Sequence, residues 1–415
     1  MHSLRQLFSE GSIALLAFVG HLACTSEAAN QSDTLDKGGV PGGIQNGSGG
    51  AVTVDGAVAA LGGISGDMTA TSPPNQGALG GAGGVPPVGG SANGASTGST
   101  GSVIDDAGSQ RGSVRATSDS GAQLPAFPML TASQLGQPTR ITTSFSLSLA
   151  EGPLWDPCEH RLLFVDVTAS KIYSMTPDDQ ITLFASNTGN ANGIAFAPDG
   201  SLILPQMARP GHISRRDKSG TITPLEPPGS FLHTPDDCIV RSDGVIYFTD
   251  GDFPPVGGLD TAPLPVYALL PGASQLDSGG TVPGPNGIEL SPDEKTLYVN
   301  AFYGGAVVKY NVMPDGTITK GSTLAMGLQY PDSMCLDAVG NLYIAVHSGL
   351  AVLRPDGSSV GLIPVPVTTG VTNCDFGGDD GTTLYITAYT TIWKIPGMPI
   401  PGLEWWENRR RLKCQ

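Results

Sequence analysis

GPNGIELSPDEKTLYVNAFYGGAVVKYN, residues Gly284 to Asn311, holds an Asn-Gly pair, an alternating apolar strand, a polar turn and a second strand. The period-two pattern of Ile288 and Leu290, then of Leu297 and Val299, sends side chains to opposite faces of a half-buried strand. Ser291-Pro292-Asp293 sets the turn, because Pro fixes one φ and Ser and Asp bond their own backbone. Aligned on Asn286, the same grammar recurs at Glu151-Gly152-Pro153-Leu154-Trp155, Asn192-Gly193-Ile194, Asp236-Asp237-Cys238, Asp332-Ser333-Met334 and Asn373-Cys374-Asp375-Phe376. The leading residues at 151, 192, 236, 286, 332 and 373 lie at intervals of 41, 44, 50, 46 and 41 residues. Repeats of roughly 40 to 50 residues, each with room for about four short strands, predict an all-β, six-bladed β-propeller. In such an array the six leading residues ring one mouth of the central channel, where function is expected.

Outward from the repeats the composition divides the chain. Residues 1–24 have a weakly basic start at Arg5, an apolar run from Ile13 to Val19 and small residues around Ala23 and Cys24. This is the layout of an export signal, with the run too short to span a bilayer. Two outcomes stay open: lipidation of Cys24, which would tether the protein to a membrane, or cleavage after Ala28. Either places the protein outside the cytoplasm, in the periplasm or at the cell surface. Residues 25–135 are Gly, Ser, Ala, Thr and Pro, with no aromatic residue between Phe18 and Phe127, a composition that predicts a disordered linker. The propeller is assigned to 136–398, with Arg140 to Leu149 supplying the strand that closes the ring. Residues 399–415 form an aromatic and basic tail. With a net charge of −16, that single basic run reads as a solvated end packed on the propeller side rather than a nucleic-acid site. A monomer is expected.

Cys238, Cys335 and Cys374 fall on inner-strand positions and read as free core thiols. Cys158 and Cys414 are the plausible disulfide partners. No Cys/His cluster of zinc-site spacing is present, and no GxSxG elbow occurs outside a near miss at Gly62.

Glu151, Asp236 and Asp332 bring three carboxylates to one opening, with Asn192, Asn286 and Asn373 as neutral donors and Asp237 just behind. Like charges that close need protons or a cation, and an oxygen-only set suits Ca²⁺, with Mg²⁺, Mn²⁺ or Zn²⁺ as alternatives. These residues could instead only cap strand starts.

Glu151-Gly152-Pro153-Leu154-Trp155-Asp156, Pro235-Asp236-Asp237, Tyr247-Phe248-Thr249-Asp250, Pro285-Asn286-Gly287-Ile288, Pro331-Asp332 and Phe376-Gly377-Gly378 together resemble the regucalcin (senescence marker protein)/gluconolactonase family. The resemblance spans roughly residues 145–395 and implies a metal-dependent, gluconolactonase-like lactone hydrolase acting on a small-molecule lactone. It implies Glu151, Asn286 and Asp332 as metal ligands and Asp236-Asp237 as the pair that touches substrate or water near the metal. In the mechanism this suggests, Asp237 or Asp332 takes a proton from water, and the ring donors Asn192 and Asn373 join Asp236 as expected substrate contacts. Ser230 to Thr234 lacks the Arg, and Leu204 to Met207 the acid and His, that sugar-lactone members carry, which leaves the natural lactone open. Two rivals remain: a non-catalytic, Ca-stabilised exported propeller that binds a protein or glycan, and an arylesterase-like propeller.

Overall fold

The computed structural model describes residues 113–114, 126–253 and 262–414. Six four-stranded antiparallel sheets form the blades of a propeller. Blade one runs Ala150–Asp156, Arg161–Asp166, Lys171–Met175 and Ile181–Ser186, from the channel outward. Blades two to five begin on Ala195–Phe196, Thr234–Val240, Pro285–Leu290 and Met334–Leu336. Blade six takes three strands from the C-terminal end, Asn373–Gly377, Thr383–Ala388 and Thr391–Ile395, and its outermost strand, Thr139–Ile141, from before blade one. The closing ladder pairs Ile392 with Ile141 and Lys394 with Thr139, so closure uses the start of the predicted segment and ends at Ile141.

Burial explains why the inner strands read as nearly continuous apolar runs. Ala150–Asp156 and Thr234–Val240 are covered on both faces by neighbouring blades, whereas the outer strand Ile318–Met326 is largely exposed. The apolar side chains gather into six clusters, one in each cleft between neighbouring blades. There is thus no single core but a ring of inter-blade seams, each worth about 25 cal/mol per Å² of apolar surface removed from water.

Three expectations change here. First, Cys335 and Cys374 are not free: they form a disulfide between the inner strands of blades five and six, with Cα atoms 5.6 Å apart. Their register brings the two Cβ atoms together across the seam, which a repeat-by-repeat reading does not reveal. Cys238 is free and buried, and Cys158 is bonded to Cys414 as expected. Second, the tail is not a solvated end on the propeller's side. It forms a helix, Leu403–Arg411, with Leu403, Trp405, Glu407 and Asn408 buried. Ala338 N–H donates to Pro401 O, Trp405 Nε1 to Gly378 O, and Arg411 to Val240 O and to Glu294. Those partners follow the far ends of the inner strands of blades five, six, three and four, so the helix lies across the channel end opposite the ring. Third, residues 126–135, assigned by composition to the linker, carry a fully buried Leu130 in the seam between blades five and six, and Arg354 donates to its carbonyl. The export signal with Cys24, and the linker up to residue 112, lie outside the described residues.

Candidate active site

In blades one, three and four the ring residue enters the channel where the backbone departs from regular pairing, whereas Asn373 of blade six pairs regularly with Thr387. In blade three Pro235 pairs with Asp250 and Cys238 with Phe248, so Asp236 and Asp237 together face Thr249. Blade four sets Asn286 and Gly287 against Asn300, and blade one shifts register between Glu151 and Leu154. These are β-bulges, which re-aim side chains beside functional sites.

The glycines of the repeat motif have a steric origin. A β-carbon on Gly152 would lie 2.4 Å from Asn192 O, one on Gly193 2.3 Å from Asp237 Oδ1, and one on Gly287 2.5 Å from Ser333 Cα. Hence each blade's leading turn is pressed onto the next. Gly193 N–H donates to Asp236 O, Gly287 N–H to Asp332 O and Ser333 N–H to Thr372 O. Thr249 Oγ1 donates to Asn286 O and Asn300 Nδ2 to Asp332 O, while Thr372 Oγ1 donates to Ala150 O. Thr249 and Asn300 are therefore positioning residues that the sequence pattern did not single out. The available signal was their shared place near the end of each blade's second strand, opposite the bulge.

The channel mouth holds a cavity of about 20 Å³ lined by Glu151, Asn192, Asp236, Asn286 and Asp332, among others. Such a volume admits a water molecule or an ion. Asn373 is not in the lining but its carboxamide bonds Glu151. Asp237 also stands outside the lining: its carboxylate bonds Ser333 and the Cys238 N–H. Of the two acids expected to take a proton, only Asp332 faces the cavity, and it is the least covered acid of the ring.

The electrostatics are those of crowded, desolvated acids. Burial, then the charges of Asp332 and Asp237, push Glu151 well above the usual carboxylate range, against the pull of the Gly152 N–H and Asn373. Asp236 is raised by burial, then by Glu151 and Asp237, with the Asn192 carboxamide opposing. Asp332 is raised by burial and by Asp236, with a hydrogen bond from Asn286 opposing. Burial pushes Asp237 up to about 7. Among the described residues no three His, Cys, Asp or Glu side chains converge as a metal site on their own, so any cation would depend on the carboxamide oxygens as well. Asn286 supplies one: its Oδ1 is buried with no hydrogen-bond partner. A buried, unpartnered acceptor costs about 1–3 kcal/mol, which a cation would recover. The donor set fits a hard divalent ion.

Residues 149–390 match the SMP-30/Gluconolactonase/LRE-like region. A gluconolactonase of Zymomonas mobilis is 29% identical over 283 residues, covering 59% of this chain and 78% of that one. Regucalcin of Xenopus laevis is 25% identical, covering 63% and 94%. Among solved structures, a gluconolactonase of Xanthomonas campestris superposes with a TM-score of 0.54 at 28% identity, covering 70% of this chain and 96% of that one. With a matched region longer than half the chain and the same propeller, this protein belongs to the SMP-30/gluconolactonase/LRE-like family.

Proposed function

We propose that the chain is a lactone hydrolase that works with one divalent cation, Ca²⁺ before Mg²⁺, Mn²⁺ or Zn²⁺, held by Glu151, Asn286 and Asp332. The observation that carries this is the buried, unpartnered Oδ1 of Asn286 beside raised carboxyls at the one cavity all three residues line. The gluconolactonase relative supports the reaction class. A cation bound there supplies Lewis-acid polarisation of the lactone carbonyl and eases deprotonation of water.

The chain's own residues do the rest. Asn373 and Asn192 fix Glu151 and Asp236 by carboxamide hydrogen bonds, so the acids keep their orientation without rearranging during the reaction. Asp332 faces the cavity and takes the proton from the attacking water. As the ring C–O bond breaks, that proton passes to the departing alkoxide. Asp237, bonded to Ser333 behind the ring, is a positioning residue that steadies the segment carrying Asp332.

We also propose that the protein is exported as a monomer. The Cys158–Cys414 and Cys335–Cys374 disulfides support that location, since such bonds persist in oxidising compartments. The test of function is hydrolysis of δ-gluconolactone and δ-valerolactone by full-length protein, before and after chelation and readdition of each metal. Chelator-sensitive turnover restored by metal is expected; metal binding with no turnover on any lactone would instead favour the non-catalytic propeller.

A further inference from the structure

Above the acid ring the cavity wall changes character. It is made by Leu149, Met207, Phe253 and Phe302, with the Thr372 hydroxyl and the Tyr389 phenol as its other polar groups, the phenol close to Asp332 and Glu151. Thr372 has its hydroxyl engaged, donating to Ala150 O and meeting Thr387 Oγ1. Gln206, beside Met207, is likewise spent: its Nε2 donates to Thr188 O and its Oε1 accepts from Ser214. The charged residues on the loops that carry Met207 and Phe253, Arg209 and Asp252, form an ion pair.

The wall continues outward as a chain of aromatic rings. Phe253 packs edge-to-face on Phe302 at 5.6 Å between centroids, and Phe302 meets Tyr330 at 5.3 Å. Phe253 is buried, Phe302 is half-buried and Tyr330 is 50% exposed, so the rings form an apolar ramp from solvent to the carboxylates. The backbone supports this bulk in an uncommon conformation: Tyr330 and Tyr389 both have a φ of +49°, in the left-handed region that large residues avoid.

We infer that the lactone accepted here carries an alkyl or aryl substituent rather than a polyhydroxylated chain, the inference resting on the hydrolase function proposed above. A substituent on the ring carbon that bears the ring oxygen lies along the ramp while the carbonyl faces the acids. Alkyl or aryl groups there gain burial and ring contacts. Each sugar hydroxyl pressed on Leu149, Met207, Phe253 or Phe302 loses water without gaining a partner, because these side chains offer none.

The experiment compares kcat/KM of the full-length, metal-loaded protein on δ-gluconolactone, δ-valerolactone and δ-decalactone. The expected order places δ-decalactone about 10- to 100-fold above δ-gluconolactone, the range that apolar pockets deliver. Phe302→Ser should narrow the ratio of δ-decalactone to δ-valerolactone by several-fold, a ratio taken within one protein and so insensitive to loss of folded enzyme. Turnover of δ-gluconolactone equal to or above that of δ-decalactone overturns the apolar specificity and leaves the hydrolase standing. Failure on all three lactones removes the hydrolase and this inference with it.

Discussion

Gly193 lies so close to Asp237 that a β-carbon on it would sit 2.3 Å from Oδ1 and 3.0 Å from Cα of that residue. The nearest atom belongs to the Asp237 carboxylate, which is itself held by Ser333 and the Cys238 N–H, and the Asp237 Cα lies just behind it, so turning the side chain away breaks those bonds and still leaves a tight backbone contact. The same kind of contact occurs at Gly152 and Gly287, each of which abuts the start of the following blade. Gly193→Ala should therefore push blades two and three apart at the channel mouth. Overpacking of this kind costs about 1–3 kcal/mol, a few degrees in melting temperature. Turnover should fall as well, because Gly193 N–H also holds the Asp236 carbonyl. Calorimetry and a lactonase assay check both effects, and a variant with wild-type melting and rate would contradict the steric account.

The start of the folded unit is testable by two truncations. Beginning the chain at residue 126 keeps Leu130 in its seam and the Arg354 bond to its carbonyl. Starting at residue 136 removes both. The shorter protein should lose about 2–4 kcal/mol, as for deletion of one large buried aliphatic side chain. Urea denaturation resolves this difference. Equal midpoints would return residues 126–135 to the linker.

A second group of acids lies under the C-terminal helix. Glu289 is raised by burial, then by Glu404, Asp237 and Asp375. Asp375 is raised by burial and then by Glu404. Burial pushes Glu404 up to about 7, against the pull of Asn408 and Arg411. For an acid whose folded pKa exceeds its unfolded value, the folded state holds more protons. Its stabilising contribution is then complete below the unfolded pKa and is lost as pH rises through the folded one. Between about pH 4.5 and 7 the helix contact should accordingly weaken as pH rises. Glu404→Gln should flatten that slope and add about 1–2 kcal/mol at pH 8, a value discounted because Glu404 keeps some solvent contact. Melting temperature against pH for both proteins checks the sign, and a slope unchanged by the substitution would rule the cluster out as its source.

The blades and the ring were legible in the sequence because one local motif, an acid or amide leading into an inner strand, recurs with the blade period. Glu151, Asn192, Asp236, Asn286 and Asp332 meet in one cavity for that reason. What escaped is whatever depends on the distance between repeats. The Cys335–Cys374 bond needs the register of two neighbouring inner strands, which spacing along the chain does not carry. Phe253, Phe302 and Tyr389 follow the ends of the second strands of blades three, four and six, a recurring place that an alignment on the leading residues does not single out. The helix Leu403–Arg411 was obscured because two of its three apolar residues are tryptophans in a stretch that ends on three arginines, a pattern equally consistent with a solvated end.

The ring itself is tested by Asp332→Asn set beside Asn192→Asp. Asp332→Asn keeps the size and one oxygen donor but removes a negative charge from the proposed cation site. Ligand charge is a main determinant of affinity for hard divalent ions, so metal binding should weaken. Turnover should collapse even at saturating metal, because an amide cannot accept the proton from water. Asn192→Asp replaces the carboxamide that now bonds Asp236 with a second acid. It should raise the local proton affinity and leave metal bound, while loss of the hydrogen bond to Asp236 alters substrate preference. Calorimetric titration with Ca²⁺, run beside lactone hydrolysis on the same preparations, separates binding from chemistry. Wild-type metal affinity and turnover in Asp332→Asn would sink the assignment of Asp332 to the cation, and with it the chemical basis for hydrolysis at this ring.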